Sequence, residues 1–260
     1  MILIKLGGSI ITNKEKPLSP RKKTIENISK GLRKINEPII IVHGGGSFGH
    51  PMAKKYSISN GFNIKIENQF YGLAKTHEAM VKLNSIVINS FLEKNYPVIP
   101  IEPYSTFIKK SKGIEIKNLE AIELTLEMGV TPVLYGDVIL DEEKTFSIIS
   151  GDNIILELCK RLQKMHISKV IFTIDKDGIF IERNGEIEFL NEARFTQIDG
   201  LNLANLGKKI DVTGGIMNKL KTIKEIGKLN IPVQILNGLN ENFLFKGIID
   251  EKVKSTNIKL

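Results

Sequence analysis

The chain has 260 residues, 42% of them apolar and 25% charged, with a formal net charge of +8 and one cysteine, Cys159. That composition is ordinary for a globular protein. It excludes an internal disulfide and a cysteine-rich metal site, and no run reaches the roughly eighteen apolar residues of a membrane-spanning helix. Met1-Ile2-Leu3-Ile4-Lys5 turns polar too early for a signal peptide, so a cytoplasmic protein is expected. The lysines are scattered, with only Arg21-Lys22-Lys23 clustered and no aromatic-interleaved basic stripe. The charge therefore reads as solvated lysine that helps attract phosphorylated small molecules; neither a nucleic-acid nor a membrane partner is expected.

Residues 1–6 read as a strand running into Gly7-Gly8-Ser9. Residues 20–35 have helical spacing at Ile25, Ile28, Leu32 and Ile35, with Ser19 as N-cap and Pro20 at the first helical position. A β-branched strand over 38–43 gives way to Gly44-Gly45-Gly46-Ser47-Phe48-Gly49-His50, and a helix over 47–56 follows, with Pro51 tolerated near its start. A polar loop then leads to a long helix over 67–94. Strands at 96–101 and 130–135 flank a helix at 119–128, and 138–149 alternates as a β-hairpin. Helix 151–165 precedes strand 169–174, a second hairpin at 179–190 turning on Asn184-Gly185, a helix from Gly215 to about 228, and strand 231–236. A short helix and a final strand close the chain. Strand and helix alternate with short connections, which predicts an α/β fold: an open three-layer αβα sandwich with a mostly parallel central sheet. No linker-like stretch interrupts it, so residues 1–260 read as a single domain whose halves, about 1–165 and 166–260, carry different ligand loops.

Four glycine-bearing segments follow strand ends or open helices: after Leu6, after His43, after Ile174, and at Asp211-Val212-Thr213-Gly214-Gly215. Ligands of open parallel sheets bind beyond those strand ends, and glycines let a polyanion approach backbone N–H groups. Lys5 interrupts an apolar strand, where an unpaired charge is expensive. Lys14 and Lys219 also accompany the loops, although each taken alone reads as a solvated lysine. Gly44, Gly46 and Gly49 match a dinucleotide G-x-G-x-x-G spacing, with Glu67 where a ribose-binding acid stands. A dinucleotide site, however, leaves the loops at Lys5 and Asp211 without a role.

Lys5-Leu6-Gly7-Gly8-Ser9, His43-Gly44-Gly45-Gly46-Ser47-Phe48-Gly49-His50, Ser150-Gly151-Asp152, Asp175-Lys176-Asp177-Gly178 and Asp211-Val212-Thr213-Gly214-Gly215 together resemble the amino-acid kinase superfamily, in order and over nearly the whole chain. The Ser-Phe-Gly-His ending of the second loop is most similar to the isopentenyl phosphate kinases; fosfomycin kinases share much of the pattern. The resemblance implies transfer of the ATP γ-phosphoryl group to isopentenyl phosphate, with Mg²⁺, in a homodimer, with the first half binding the acceptor and the second the nucleotide. It implies that Lys5, Leu6, Gly7, Gly8, Ser9 and Gly46 hold the ATP phosphates, joined by Asp175, Lys176, Asp177, Gly178, Gly215 and Lys219. Lys14 is implied to stabilise the transferring group, Asp152 to orient the lysines, and Gly45, Gly49, His50 and Gly151 to hold the acceptor phosphate.

The chemistry agrees, because a phosphate acceptor carries its own nucleophilic oxygen and the task is to offset repulsion between two polyanions. From the residue alone, His50 is as readily a helix cap as a ligand; its place after a phosphate-type loop favours the ligand. His43 reads as buried structure, and His77 as core or as a border of the substrate site. An apolar pocket for the acceptor's tail is expected from Leu73, Thr76 and Met80 and from the hairpin residues Val138, Leu140, Phe146 and Ile148. Two positions depart from the family pattern: Asn153 follows Asp152 where a second acid is common, and Ile174 precedes Asp175 where a threonine is common. A same-fold kinase for another small phosphate, phosphonate or carboxylate is the enzyme alternative. A nucleotide-binding regulatory module without turnover is the non-enzyme one.

Overall fold

Alternation within the first strand, β1 (Ile2–Leu6), defines two layers. Ile2, Ile4 and Leu6 enter one apolar cluster, while Met1 and Leu3 enter another on the opposite face, as successive strand side chains must. β2 (Ile39–His43) repeats the pattern, Ile39 and Ile41 on one side and Ile40 and Val42 on the other. A strand apolar on both faces needs helices over both. The computed structural model, which describes residues 1–204 and 215–260, supplies them.

In chain order the other strands are β3 (Val98–Pro100), β4 (Phe107–Lys110), β5 (Gly113–Ile116), β6 (Thr131–Tyr135), β7 (Asp137–Asp141), β8 (Thr145–Ile149), β9 (Lys169–Ile174), β10 (Ile179–Arg183), β11 (Glu186–Leu190), β12 (Glu192–Arg194), β13 (Val233–Asn237) and β14 (Ser255–Lys259). The helices are α1 (Gly8–Ile11), α2 (Lys22–Leu32), α3 (Gly46–Lys55), α4 (Gln69–Leu92), α5 (Pro103–Thr106), α6 (Leu119–Glu127), α7 (Gly151–Arg161), α8 (Gly215–Gly227) and α9 (Phe243–Ile248). The main sheet runs β12-β14-β13-β9-β1-β2-β6-β3. From β13 to β3 every pairing is parallel, and β14 is antiparallel to β13. Ile122 of α6, Ile154 and Leu158 of α7 and Leu220 and Ile223 of α8 cover one face. Ile25 of α2, Leu83 and Val87 of α4 and Leu244 of α9 cover the other. This is the three-layer αβα sandwich expected from the sequence. β1 lies between β2 of the first half and β9 of the second, so one sheet joins both halves.

The expected hairpins form as β7–β8 and β10–β11, the latter turning on Asn184 (φ 51°) and Gly185 (φ 82°). The β7–β8 hairpin belongs to a second sheet, β5-β4-β7-β8, whose β4–β5 arm the sequence reading left unassigned. The start of α2 differs from expectation. Pro20 pairs in an extended bridge with Thr12, and Arg21 is the N-cap, its Nε donating to the Thr12 carbonyl at 3.1 Å. Ser19 is instead engaged by α3, its N–H donating to Ser47 Oγ at 3.3 Å.

Pro51 within α3 explains how the segment before α2 is held. Proline has no N–H for the carbonyl four residues back. That carbonyl, on Ser47, accepts from Leu18 N–H at 3.1 Å instead. The loop carrying Lys14 is thereby tied to the helix that follows the glycine-rich turn.

Candidate active site

The loops after β1 and β2 touch backbone to backbone. A Cβ on Gly8 would stand 2.6 Å from Gly46 N, and one on Gly46 would meet Thr12 Oγ1 at 2.0 Å, besides needing an L residue at φ +48°. Only glycine fits such an approach. Thr12 fastens the junction: its hydroxyl donates to the Gly8 carbonyl at 2.7 Å and accepts from Ser47 N–H at 3.0 Å. On the other flank, Thr173 accepts from Gly7 N–H and donates to the Lys5 carbonyl, both at 3.2 Å. The threonine that the family pattern expects at 174 thus has a counterpart one residue earlier that ties β9 to the first loop.

Beyond the strand ends opens a cleft of about 920 Å³. Its floor is a buried charge network. Asp152, in the first turn of α7, sits 2.8 Å from Lys219 Nζ through Oδ2 and 2.8 Å from Lys5 Nζ through Oδ1. The Lys219 contact is an aligned hydrogen bond. The Lys5 contact is a charge contact, and Oδ1 is left without an aligned donor. Burial raises the Asp152 carboxyl, but the two ammonium groups overcome it and hold the group at about 2. Burial, with Lys5 nearby, pushes Lys219 down to about 8 against the pull of Asp152. Lys219 also stands over the Phe172 ring, 4.8 Å from its centroid. Two buried ammonium groups on one carboxylate leave a net positive charge in a dehydrated floor, an arrangement that favours an anion above it. Gly45 and Gly46 at the start of α3 and Ser150 and Gly151 at the start of α7 line the same space, so two helix N-termini face it.

The walls gather most of the residues singled out from sequence. Lys5, Gly7, Gly8, Ser9, Lys14, Gly45, Gly46, Gly49, His50, Thr76, Met80, Gly151, Asp152, Asp175, Lys176, Gly215 and Lys219 all line the cleft. Others do not. Leu6 is fully buried in the core, and Leu73 packs against the Ala53–Ile58–Val138–Phe146 cluster. Asp177 is held away by Asn237 at 3.1 Å and Lys254 at 3.0 Å, and Gly178 abuts Thr256. Of the expected hairpin pocket, Ile148 is on the wall, with Ile149 beside it, whereas Val138 and Phe146 are core and Leu140 faces elsewhere. Asp211, Val212, Thr213 and Gly214 lie outside the described residues. Among the wall residues that the sequence reading missed are Lys54, Asp137, Asn218 and Lys221; Asn153, also on the wall, was noted only as a departure from the family pattern. Lys54 was discoverable, because it sits four residues after His50 on the same face of a helix.

The histidines separate cleanly. His50 is exposed on α3, one turn beyond the glycines. His43 is fully buried, lies between Gly44 O at 3.2 Å and Asn84 Oδ1 at 3.1 Å, and stacks on Tyr135; burial lowers it to about 4, so it stays neutral. Met80, between these groups on α4, fits against Gly49, where a Cβ would come within 2.7 Å of its sulfur.

Comparison with known proteins agrees with this geometry. A sequence model of the amino acid kinase family matches residues 1–237. Isopentenyl phosphate kinase of Methanothermobacter thermautotrophicus is 32% identical, over 99% of this chain and 98% of its own. The enzyme of the same name from Methanocaldococcus jannaschii is 31% identical, over 99% and 98%. An X-ray structure of an isopentenyl phosphate kinase superposes with a TM-score of 0.84 at 28% identity, covering 99% of this chain and 100% of that one. With the glycine loops, the buried lysine–aspartate floor and the sandwich all in place, the chain belongs to the amino acid kinase family.

Proposed function

We infer that this chain is a phosphotransferase that moves the γ-phosphoryl group of ATP to isopentenyl phosphate, yielding isopentenyl diphosphate and ADP for isoprenoid biosynthesis. The observation that carries this reading is the cleft itself. A cationic floor and two helix N-termini share one cleft with His50 and with the apolar side chains Met80, Ile148 and Ile149. That pairing of phosphate site and apolar lining suits a phosphate monoester with a hydrocarbon tail. Relatives bearing the enzyme's name over their full length support the same acceptor. A coupled ADP-release assay with isopentenyl phosphate, fosfomycin and a panel of small acids tests it. Turnover with isopentenyl phosphate is expected; turnover with another acceptor alone overturns the substrate and keeps the fold.

In this reading an oxygen of the acceptor phosphate attacks the γ-phosphorus as the bond to the β–γ bridging oxygen breaks and ADP leaves. No strong base is required, since the nucleophile is already an anion. Lys5 and Lys219 hold the phosphates from below, Lys14 closes over the transferring group, and Gly45, His50 and Gly151 seat the acceptor. Among the described residues no group of three or more His, Cys, Asp or Glu side chains is placed to hold a metal ion. Asp152 and Asp175 each already face lysines. Mg²⁺ is accordingly read as arriving on the nucleotide phosphates, where it would neutralise charge, and not as a metal held by a protein cage.

His50→Ala is expected to raise the KM for isopentenyl phosphate about tenfold, the cost of a charge-assisted hydrogen bond, with the KM for ATP within about twofold; equal rises would misplace the histidine. Lys219 supplies a second test. ATP phosphates above it restore its proton, so binding near pH 8 takes up about half a proton and binding near pH 6.5 almost none. Calorimetry in two buffers of different ionisation heat measures this, and a buffer-independent heat at pH 8 would separate Lys219 from the phosphates.

We also read the chain as a cytoplasmic homodimer. No described helix is long and apolar enough to cross a membrane. At the β3 edge of the main sheet, Ile99 on β3, Leu92 at the end of α4, and Leu124 and Met128 of α6 and its C-cap expose apolar side chains. Such a set at an open edge favours a second copy. Sedimentation of the wild type against Ile99→Lys checks it.

A further inference from the structure

One partly buried charge cluster at the edge of the cleft has no part in the chemistry above. His77, on α4, places Nδ1 2.7 Å from Asp137 Oδ2 and Nε2 3.1 Å from Glu102 Oε1. A neutral imidazole has one N–H and satisfies only one of these carboxylates; the imidazolium donates to both. Asp137 opens β7 with its side chain fully shielded, and its second oxygen accepts from Val138 N–H at 2.8 Å. Glu102 is the N-cap residue of α5. Three elements therefore meet on one ring.

We propose that His77, Asp137 and Glu102 form a proton-held brace that positions α4 against β7 and thereby sets affinity for the acceptor, leaving the nucleotide side untouched. His77 is a positioning residue in this scheme. Its chain neighbour Thr76 and, one turn on, Met80 are cleft wall, and Met80 is the side chain seated on Gly45 and Gly49. Asp137 follows Gly136, which also lines the cleft, donates its N–H to the His43 carbonyl at 2.9 Å, and leaves only 3.0 Å between its Cβ position and Gly151 N. One end of the brace, Asp137, is thus itself cleft wall, and the other, His77, is one residue from it. The hydrogen bonds, ion pairs and ring contacts described for His77 and for the Asp137 and Glu102 carboxylates do not reach Thr173 to Lys176 or the described residues of α8.

The groups facing the ring are Asp137 from β7, Glu102 before α5, the Tyr104 ring at 5.6 Å and, behind Asp137, Tyr135 of β6. The hydrogen bond to Asp137 leads in raising His77 above its ordinary value, and Glu102 adds to it. Burial raises Asp137, opposed by His77. Tyr135 is pushed up by burial and by both carboxylates, and so carries no charge into this balance. The brace is therefore intact below the ordinary histidine value and released as pH rises through the raised one.

The proposal rests on the acceptor being isopentenyl phosphate. KM for isopentenyl phosphate and for ATP is measured from about pH 6 to 9 in the wild type, Glu102→Gln and His77→Gln. In the wild type the acceptor KM is expected to rise about fivefold across a break that the ATP KM lacks, the size of one lost hydrogen bond. Glu102→Gln moves that break to lower pH. His77→Gln lacks that break and keeps the high-pH acceptor KM, apart from the titrations common to all three proteins. The acceptor phosphate's own titration near 6 is common to all three proteins, so it cancels in the comparison. Half-exposed Glu102 is a substitution the fold tolerates, which keeps the test open if His77→Gln folds poorly. A break that Glu102→Gln leaves unmoved, or equal pH effects on both KM values, overturns the brace alone. Absence of turnover with isopentenyl phosphate at every pH overturns the brace and the functional reading together.

Discussion

Asp152→Asn is expected to lower kcat/KM for ATP about a hundredfold near pH 7.5, the scale of losing one pre-organised charge contact at a phosphoryl-transfer site. The carboxylate itself does not face the phosphates as a donor; it keeps two buried lysines charged and aimed. Lys219 already sits at about 8, with Asp152 opposing the fall. Without that carboxylate the value falls further, so a larger share of the variant lacks the positive charge at neutral pH. The activity profile of the variant should shift to lower pH, where Lys219 regains its proton. Stability follows the same logic. The Asp152 carboxyl, held at about 2, stabilises the wild type above the ordinary carboxylate range, and that contribution disappears as pH falls towards 2. Removing it near pH 6 costs on the order of 3 kcal/mol, because two buried cations lose their partner. The cost shrinks towards pH 9 as Lys219 sheds its charge. Urea titrations at the two pH values, alongside the rate profile, measure both effects; an unchanged rate in a destabilised variant would make the network structural only.

This network also shows what a sequence alone reveals. Lys5 was conspicuous because it breaks a β-branched strand, and a charge there demands a partner. The partner lies 147 positions away on α7, and the third member a further 67 along the chain. No periodicity connects such positions; only the parallel order β2-β1-β9 brings the loops of both halves to one edge. The core strands were legible for the opposite reason, since apolar runs ending in glycine are local signals. The β4–β5 arm was missed because its short strands mix Ile and Lys and are mostly half-exposed. Pro20 was misread because a proline after serine looks the same before a helix and in an extended bridge; the choice is made by Thr12, eight residues earlier.

The acceptor pocket divides along the same line. Leu73 and Met80 both belong to the apolar positions of a long helix, seven residues apart and so close to one face. α3 decides between them: Tyr56 and Ala53 draw Leu73 into their cluster, whereas Gly45 and Gly49 leave room for Met80 at the cleft. Glycines read as phosphate ligands are thus also what admits a bulky side chain to the substrate wall.

Lys14→Ala should lower kcat about 10²- to 10³-fold while leaving both KM values within about twofold and the melting temperature unchanged. The geometry separates this lysine from the buried pair. Lys14 is 57% exposed and stands 3.9 Å from Asp175 across the cleft mouth. An exposed pair at that distance contributes little to stability, so Lys14 exchanges Asp175 for a more highly charged phosphoryl group at little cost. Its backbone, by contrast, is fixed. Asn13 N–H donates to the Ser19 carbonyl at 2.8 Å, and Leu18 and Ser19 are tied to Ser47 at the start of α3. A mobile charge on a pinned loop is suited to charge that grows only in the transition state. Lys14→Arg tests that distinction, since a planar guanidinium keeps the charge and changes its placement; it should recover affinity fully and rate in part. A Lys14→Ala enzyme with wild-type kcat and a raised KM for ATP would instead make Lys14 a ground-state phosphate ligand.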